Sequence, residues 1–211
     1  MAAKENAVAL LKADHRKVEE LFESFEEARS ADRKVALVKQ ICTELMVHAT
    51  IEEEIFCPKG KIEDEELLDE AYVEHDGATV LIAELLPGSP SDEFYDAKVK
   101  VLSEMIKHHV KEEEMRSEGL FAEARDAGMD LDDLGERLKA RKAQLLARFK
   151  EAGALPPPQT RSFTGHKLVQ SQPVQAQHLT SLDHAGKGGR AAAFPNTTPD
   201  DIQKEGERIG G

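Results

Sequence analysis

Apolar residues return every third or fourth position across residues 4–28, where Leu11, His15, Val18, Leu21, Phe22 and Phe25 are separated by Lys, Arg and Glu. That period marks an amphipathic helix, and a histidine sits inside its apolar stripe. The pattern breaks around Ser30-Ala31-Asp32. It restarts as Val35, Val38, Ile41, Cys42, Leu45, His48, Glu52 and Phe56, which predicts a second helix stopped by Pro58 and Gly60. A third helix is expected from about Asp64 to Leu86, through Leu67, Leu68, Tyr72, His75, Leu81 and Leu85; Pro87-Gly88-Ser89-Pro90 ends it. Gly77 lies inside it at roughly 1 kcal/mol of helix stability relative to Ala, a cost that close packing beside the site would offset. A fourth helix, capped by Ser91 or Asp92, carries Leu102, Ile106, His109 and Glu113 on one stripe. The pattern weakens over Met115–Gly119, although Leu120 and Phe121 are apolar again. Asp130 caps a fifth helix over 131–152. It has no histidine and is assigned to packing or dimer formation.

At Pro156 the composition changes. Pro-Pro-Pro-Gln-Thr opens a stretch rich in Gln, Ser, Gly, Pro and Thr without a sustained period. The pattern therefore predicts an all-α chain with a helical domain over 1–155 and a disordered, low-complexity tail over 156–211. His166, His178 and His184 share no spacing and read as solvated tail residues.

Charge and cysteine content narrow the function classes. A third of the 211 residues are charged and the formal net charge is −13, which argues against nucleic-acid or anionic-membrane partners. No apolar run is long enough to span a bilayer, and Met-Ala-Ala-Lys-Glu-Asn has no leader pattern. Two cysteines, Cys42 and Cys57, fit free thiols in a reducing cytoplasm. Their spacing matches neither a zinc site nor a redox motif.

The candidate chemistry is a pattern that occurs twice. In Leu-Met-Val-His-Ala-Thr-Ile-Glu-Glu-Glu (45–54) and Ile-Lys-His-His-Val-Lys-Glu-Glu-Glu (106–114), a histidine precedes a glutamate by four: His48 with Glu52, His109 with Glu113. On a helix this spacing stacks both side chains on one face. Leu45 and Ile106, three residues before each histidine, share that face, so each pair points inward. A buried carboxylate there needs a charge partner or a metal. His108 with Glu112 repeats the spacing about 100° around the helix and is the alternative pair. Glu53, Glu54, Glu112 and Glu114 are read as a solvated acidic face. With His15 and His75, each of the four main helices carries a histidine near its middle. Imidazole and carboxylate together suit iron, manganese or zinc, and bundle cores build two-metal sites this way. The order His48-Ala-Thr-Ile-Glu is not the His-Glu-x-x-His of zinc proteases.

This order of motifs resembles the bacterial hemerythrin-like, HHE cation-binding family. The resemblance also rests on Leu-Leu-Lys-Ala-Asp-His-Arg-Lys-Val-Glu-Glu-Leu-Phe near the start, Glu54-Ile55-Phe56-Cys57-Pro58, and Val73-Glu74-His75-Asp76. It covers residues 5 to about 125 and the fifth helix. It implies an up-down four-helix bundle with an additional C-terminal helix, holding a non-haem di-iron centre. By position, His15 and His48 would serve one iron and His75 and His109 the other, with Glu52 and Glu113 bridging. Oxygen-carrying hemerythrins place a further histidine one turn after the third-helix histidine; that position here is Thr79. Tyr72, one turn before His75, reads as a core tyrosine. The implied function is binding or sensing of dioxygen, nitric oxide, peroxide or iron in redox homeostasis. A di-iron oxidoreductase consuming peroxide or nitric oxide is the alternative, and a bundle whose metal serves only folding is the third reading.

Overall fold

The computed structural model describes residues 6–57, 64–153 and 155–163. The expected stop at Pro58 and Gly60, the start of the first helix at residues 4 and 5, and the tail beyond 163 with its three histidines lie outside the described residues. Among the described residues every regular element is helical: α1 (Ala7–Glu27), α2 (Ala31–Ile51), α3 (Glu65–Leu85), α4 (Tyr95–Glu113), α5 (Leu120–Asp126) and α6 (Leu131–Ala152). None is long and apolar enough to cross a membrane.

Local chemistry fixes most of the boundaries. Asn6, Ser30, Asp64 and Asp130 each accept a backbone N–H from the first turn of α1, α2, α3 and α6, satisfying donors that a helix start leaves free. Gly153 ends α6 in the left-handed region, at φ 69°, where a side chain is disfavoured. The fourth helix differs from expectation. It begins at Tyr95 without a side-chain cap, because Asp92 spends its carboxylate on the Ser89 amide (2.7 Å) in the preceding turn. The short α5 was not evident from the periodicity, since seven residues are too few to display one.

The second helix also changes form near its end. After Ile51 the chain widens into a π-helical turn over Glu52–Phe56, and the Cys57 amide donates to the Glu52 carbonyl at 2.8 Å. Such turns are frequent at functional sites.

Helices α1 to α4 close a ring in which α1 packs on α2, α2 on α3, α3 on α4 and α4 on α1. Neighbours run antiparallel. The first half of α1 meets the end of α4 through Lys12 and Glu114, and the end of α1 meets the start of α4 through Phe25 and Tyr95. This is the up-down bundle. Helix α6 lies outside it against α1, α2 and the π turn, burying Leu134, Leu138 and Leu145; its role within the chain is packing. Residues 156–163, which the composition places at the start of the tail, lie against the same unit. Pro158 is buried, and Arg161 and Ser162 donate their backbone N–H groups to Asp76.

The core has two apolar clusters. One gathers Leu11, Val47, Ile51, Phe56, Leu68 and Phe121; the other gathers Val18, Phe22, Ile41, Ile82, Leu102 and Val110. A layer of buried polar residues lies between them.

Candidate metal centre

All six inward residues expected from the sequence meet in that layer. His15 comes from α1, His48 from α2, Glu52 from the first position of the π turn, His75 from α3, and His109 with Glu113 from α4; all are buried. Their atoms fall into two groups. Nε2 of His15 lies 3.3 Å from Nε2 of His48, and Nε2 of His75 lies 3.1 Å from Nε2 of His109. Each glutamate spans both groups. One oxygen of Glu52 is 3.4 Å from His48 and 3.4 Å from His75. Glu113 reaches His15 through Oε2 (3.2 Å) and His109 through Oε1 (3.4 Å). His108 points outward, 61% exposed, and pairs with Glu112 on the surface. The alternative pair is thus outside the layer.

A ring of carboxylates stands behind the histidines. Nδ1 of His15 lies 2.9 Å from Glu114, Nδ1 of His75 lies 3.0 Å from Glu53, and Nδ1 of His109 lies 2.7 Å from Glu74. Nδ1 of His48 faces Asp14 at 3.8 Å, an ion-pair distance. Three of these carboxylates are in turn held by cations: Asp14 by Lys142 of α6, Glu53 by Arg161, and Glu114 by Arg16 and Lys12. Glu53 and Glu114 therefore depart from the solvated-face expectation, whereas Glu54 pairs with Arg141 at the surface and Glu112 with His108. The signal for the ring lies in the chain order. Each outer carboxylate is the chain neighbour of an inner residue (Asp14 of His15, Glu53 of Glu52, Glu74 of His75, Glu114 of Glu113), and each serves the histidine of the adjacent helix.

This arrangement fits a metal on its own geometry. An ionised carboxylate only accepts, so an Nδ1 bonded to one carries the ring proton, and Nε2 keeps its lone pair. The lone pairs of His75 and His109, both held in this way and 3.1 Å apart, repel unless something positive lies near them. Both oxygens of Glu52 and both of Glu113 are also buried without a hydrogen-bond partner among the described residues, a costly state. A cation satisfies both groups at once. Without one, protons supply the charge. Burial lowers the His48 and His75 imidazoles, but the negative charge of Glu52 and of the other close carboxylates outweighs it, raising them to about 10 and about 9. Burial and the adjacent Glu52 charge raise Glu113 to about 7. His15, buried beside charged His48, is lowered to about 4.

A cavity of about 30 Å³ adjoins the layer, bounded by His75, His109, Thr79, Ala49, Ile82 and Ile106. Roughly 10–15 Å³ of such space holds one water, so it admits one or two small molecules. Thr79 faces it, one turn beyond His75. Tyr72 does not approach; its hydroxyl donates to the Cys57 carbonyl at 2.8 Å. Gly77 packs against the end of the Met105 side chain.

A model of the hemerythrin HHE cation binding domain matches residues 6–124. No curated protein and no solved structure matches the chain. The matched span covers α1 to α4 and most of α5, and stops before α6 and residues 155–163. It takes in more than half of the chain and every residue of the buried histidine–glutamate layer, and the chain belongs to the hemerythrin HHE cation-binding family.

Proposed function

We propose that the layer holds a non-haem di-iron centre that binds or senses a small ligand such as dioxygen, nitric oxide or peroxide. His15 and His48 would serve one iron, His75 and His109 the other, and Glu52 and Glu113 both. The observation that carries this reading is the division of the four Nε2 atoms into two close pairs, each spanned by the same two carboxylates. His48, Glu52, His109 and Glu113 bring donor atoms within 4.8 Å of one another, enough for one ion, and the further donors of His15 and His75 favour two. Iron bound there supplies one-electron redox chemistry and an open position for an exogenous ligand.

The chain's own residues do the rest. The outer carboxylates fix the tautomer and aim of the imidazoles, which raises their basicity. The apolar clusters on either side exclude bulk water. Thr79 leaves a coordinating position open beside His75, because a hydroxyl is a weak iron ligand next to imidazole. Binding or sensing is favoured over turnover because the cavity wall is mainly aliphatic, and its acids and imidazoles are already engaged around the centre. The alternative, an oxidoreductase consuming peroxide or nitric oxide, draws on the same open position. The free thiols and net charge support a cytoplasmic setting.

Metal analysis of protein purified without added iron tests the reading. Two iron atoms per chain are expected, with a sharp loss in His48→Ala and His109→Ala and none in His108→Ala. Full iron retention in both inner variants would overturn the assignment.

A further inference from the structure

A second cavity, about 350 Å³, lies on the outside of the bundle between α2 and α3. Pro156, Pro157, Pro158, Gln159 and Arg161 form its outer wall, so the segment after α6 crosses it as a strap. Met46, Ala49 and Thr79 line this outer cavity and the inner 30 Å³ cavity as well. Those three residues form a shared wall between the space under the strap and the space beside the histidines.

The strap is fastened at its far end, by Arg161 and Ser162. Oδ2 of Asp76, a buried residue, accepts the Arg161 amide at 2.8 Å, the Ser162 amide at 2.6 Å and the Ser162 hydroxyl at 2.6 Å. Hydrogen bonds to an ionised carboxylate are about twice as strong as neutral ones. The Arg161 guanidinium sits 4.5 Å over the Tyr72 ring and pairs with Glu53, the carboxylate behind His75. The latch therefore closes on the residue after His75 and on the partner of His75, both next to the open side of the centre.

We infer that small exogenous ligands reach the centre through the α2–α3 seam beneath this strap, with Ala49 and Thr79 as the partition that limits their size. The inference rests on the reading of the layer as an iron centre. The aliphatic partition and the inner volume select one- to three-atom molecules. The Asp76 latch sets how often the seam opens. The residues that make the strap lie beyond the matched span, whereas Asp76, Glu53 and Tyr72, which hold it, lie within it.

Full-length protein loaded with iron and oxidised, with azide as the probe, provides the test. Ser162→Pro removes one amide donor and the hydroxyl from Asp76 without touching the layer. It is expected to speed azide association and dissociation alike by about tenfold, leaving the equilibrium affinity unchanged, as gating requires. Ala49→Leu should slow both. Unchanged rates in both variants, with iron and azide still bound, would overturn the route and leave the centre standing. A chain that takes up no iron fails earlier and removes both readings. A separate measurement needs no metal. In the iron-free protein the Arg161 and Ser162 amides should exchange with solvent far more slowly than the Phe163 amide, and equal exchange would remove the latch.

Discussion

Glu114, the residue after Glu113 at the end of α4, holds Nδ1 of His15 on α1 at 2.9 Å. It closes a circuit around the bundle: Asp14 on α1 faces His48 on α2, Glu53 after α2 holds His75 on α3, and Glu74 on α3 holds His109 on α4. Successive residues of a helix point about 100° apart. A residue next to an inward group therefore points toward the neighbouring helix, where the next histidine needs its second nitrogen held.

The circuit separates two glutamates that both touch His108. Glu74 also holds His109, while Glu112 only pairs with His108 at the surface. Glu74→Ala is expected to weaken metal binding by about 10- to 100-fold, read by competition with a chelator. Glu112→Ala should leave it unchanged. Equal affinities would remove the role given to the outer ring.

Two glycines predict opposite results. A Cβ at Gly119 would lie 2.5 Å from the backbone carbonyls of both Glu112 and Glu113, which cannot move without displacing Glu113. Gly119→Ala should lower both the thermal midpoint and the iron content. A Cβ at Gly77 would meet only the tip of Met105, at 2.9 Å. That side chain can swing aside, and Gly77→Ala should be neutral or stabilising by up to about 1 kcal/mol.

Leu138 on α6 is fully buried among α1 and α2 residues. Truncating such a side chain costs about 2–5 kcal/mol. Leu138→Ala should shift the denaturant midpoint accordingly; a shift within error would mean that α6 is a loosely attached appendage.

Thr79 leaves room beside His75, so the reduced protein should oxidise and stay oxidised on exposure to dioxygen. Thr79→His supplies an imidazole at that position and should slow the oxidation. Visible spectra over repeated cycles of oxygenation and deoxygenation decide the matter. Reversible behaviour of the wild type through many cycles would identify an oxygen carrier.

Burial raises the Cys42 thiol to about 12, and burial with nearby glutamate charges raises Cys57 well above its ordinary value. The thiolate is the reactive form. Neither cysteine should react with iodoacetamide at pH 8 in the folded protein, although both should label after unfolding. Prompt labelling of the native chain would contradict the burial described.

The sequence by itself determined the five longer helices and the inward stripe that carries the six buried histidines and glutamates. Period, caps and the paired His-x-x-x-Glu spacing are local properties, and a helix converts spacing into a common face without reference to the rest of the chain. His109 was separable from His108 because Ile106 marks the inward stripe. What tertiary structure decided was everything requiring two helices at once. Glu53 and Glu114 looked like members of a solvated run because a single helix cannot show that its neighbour offers a histidine nitrogen. Residues 156–163 lack any period, yet they lie on the bundle because one buried carboxylate, Asp76, collects their amides. The π turn that delivers Glu52 inward and Glu53 toward His75 is equally a product of packing. No local propensity distinguishes it from the α-helix that precedes it.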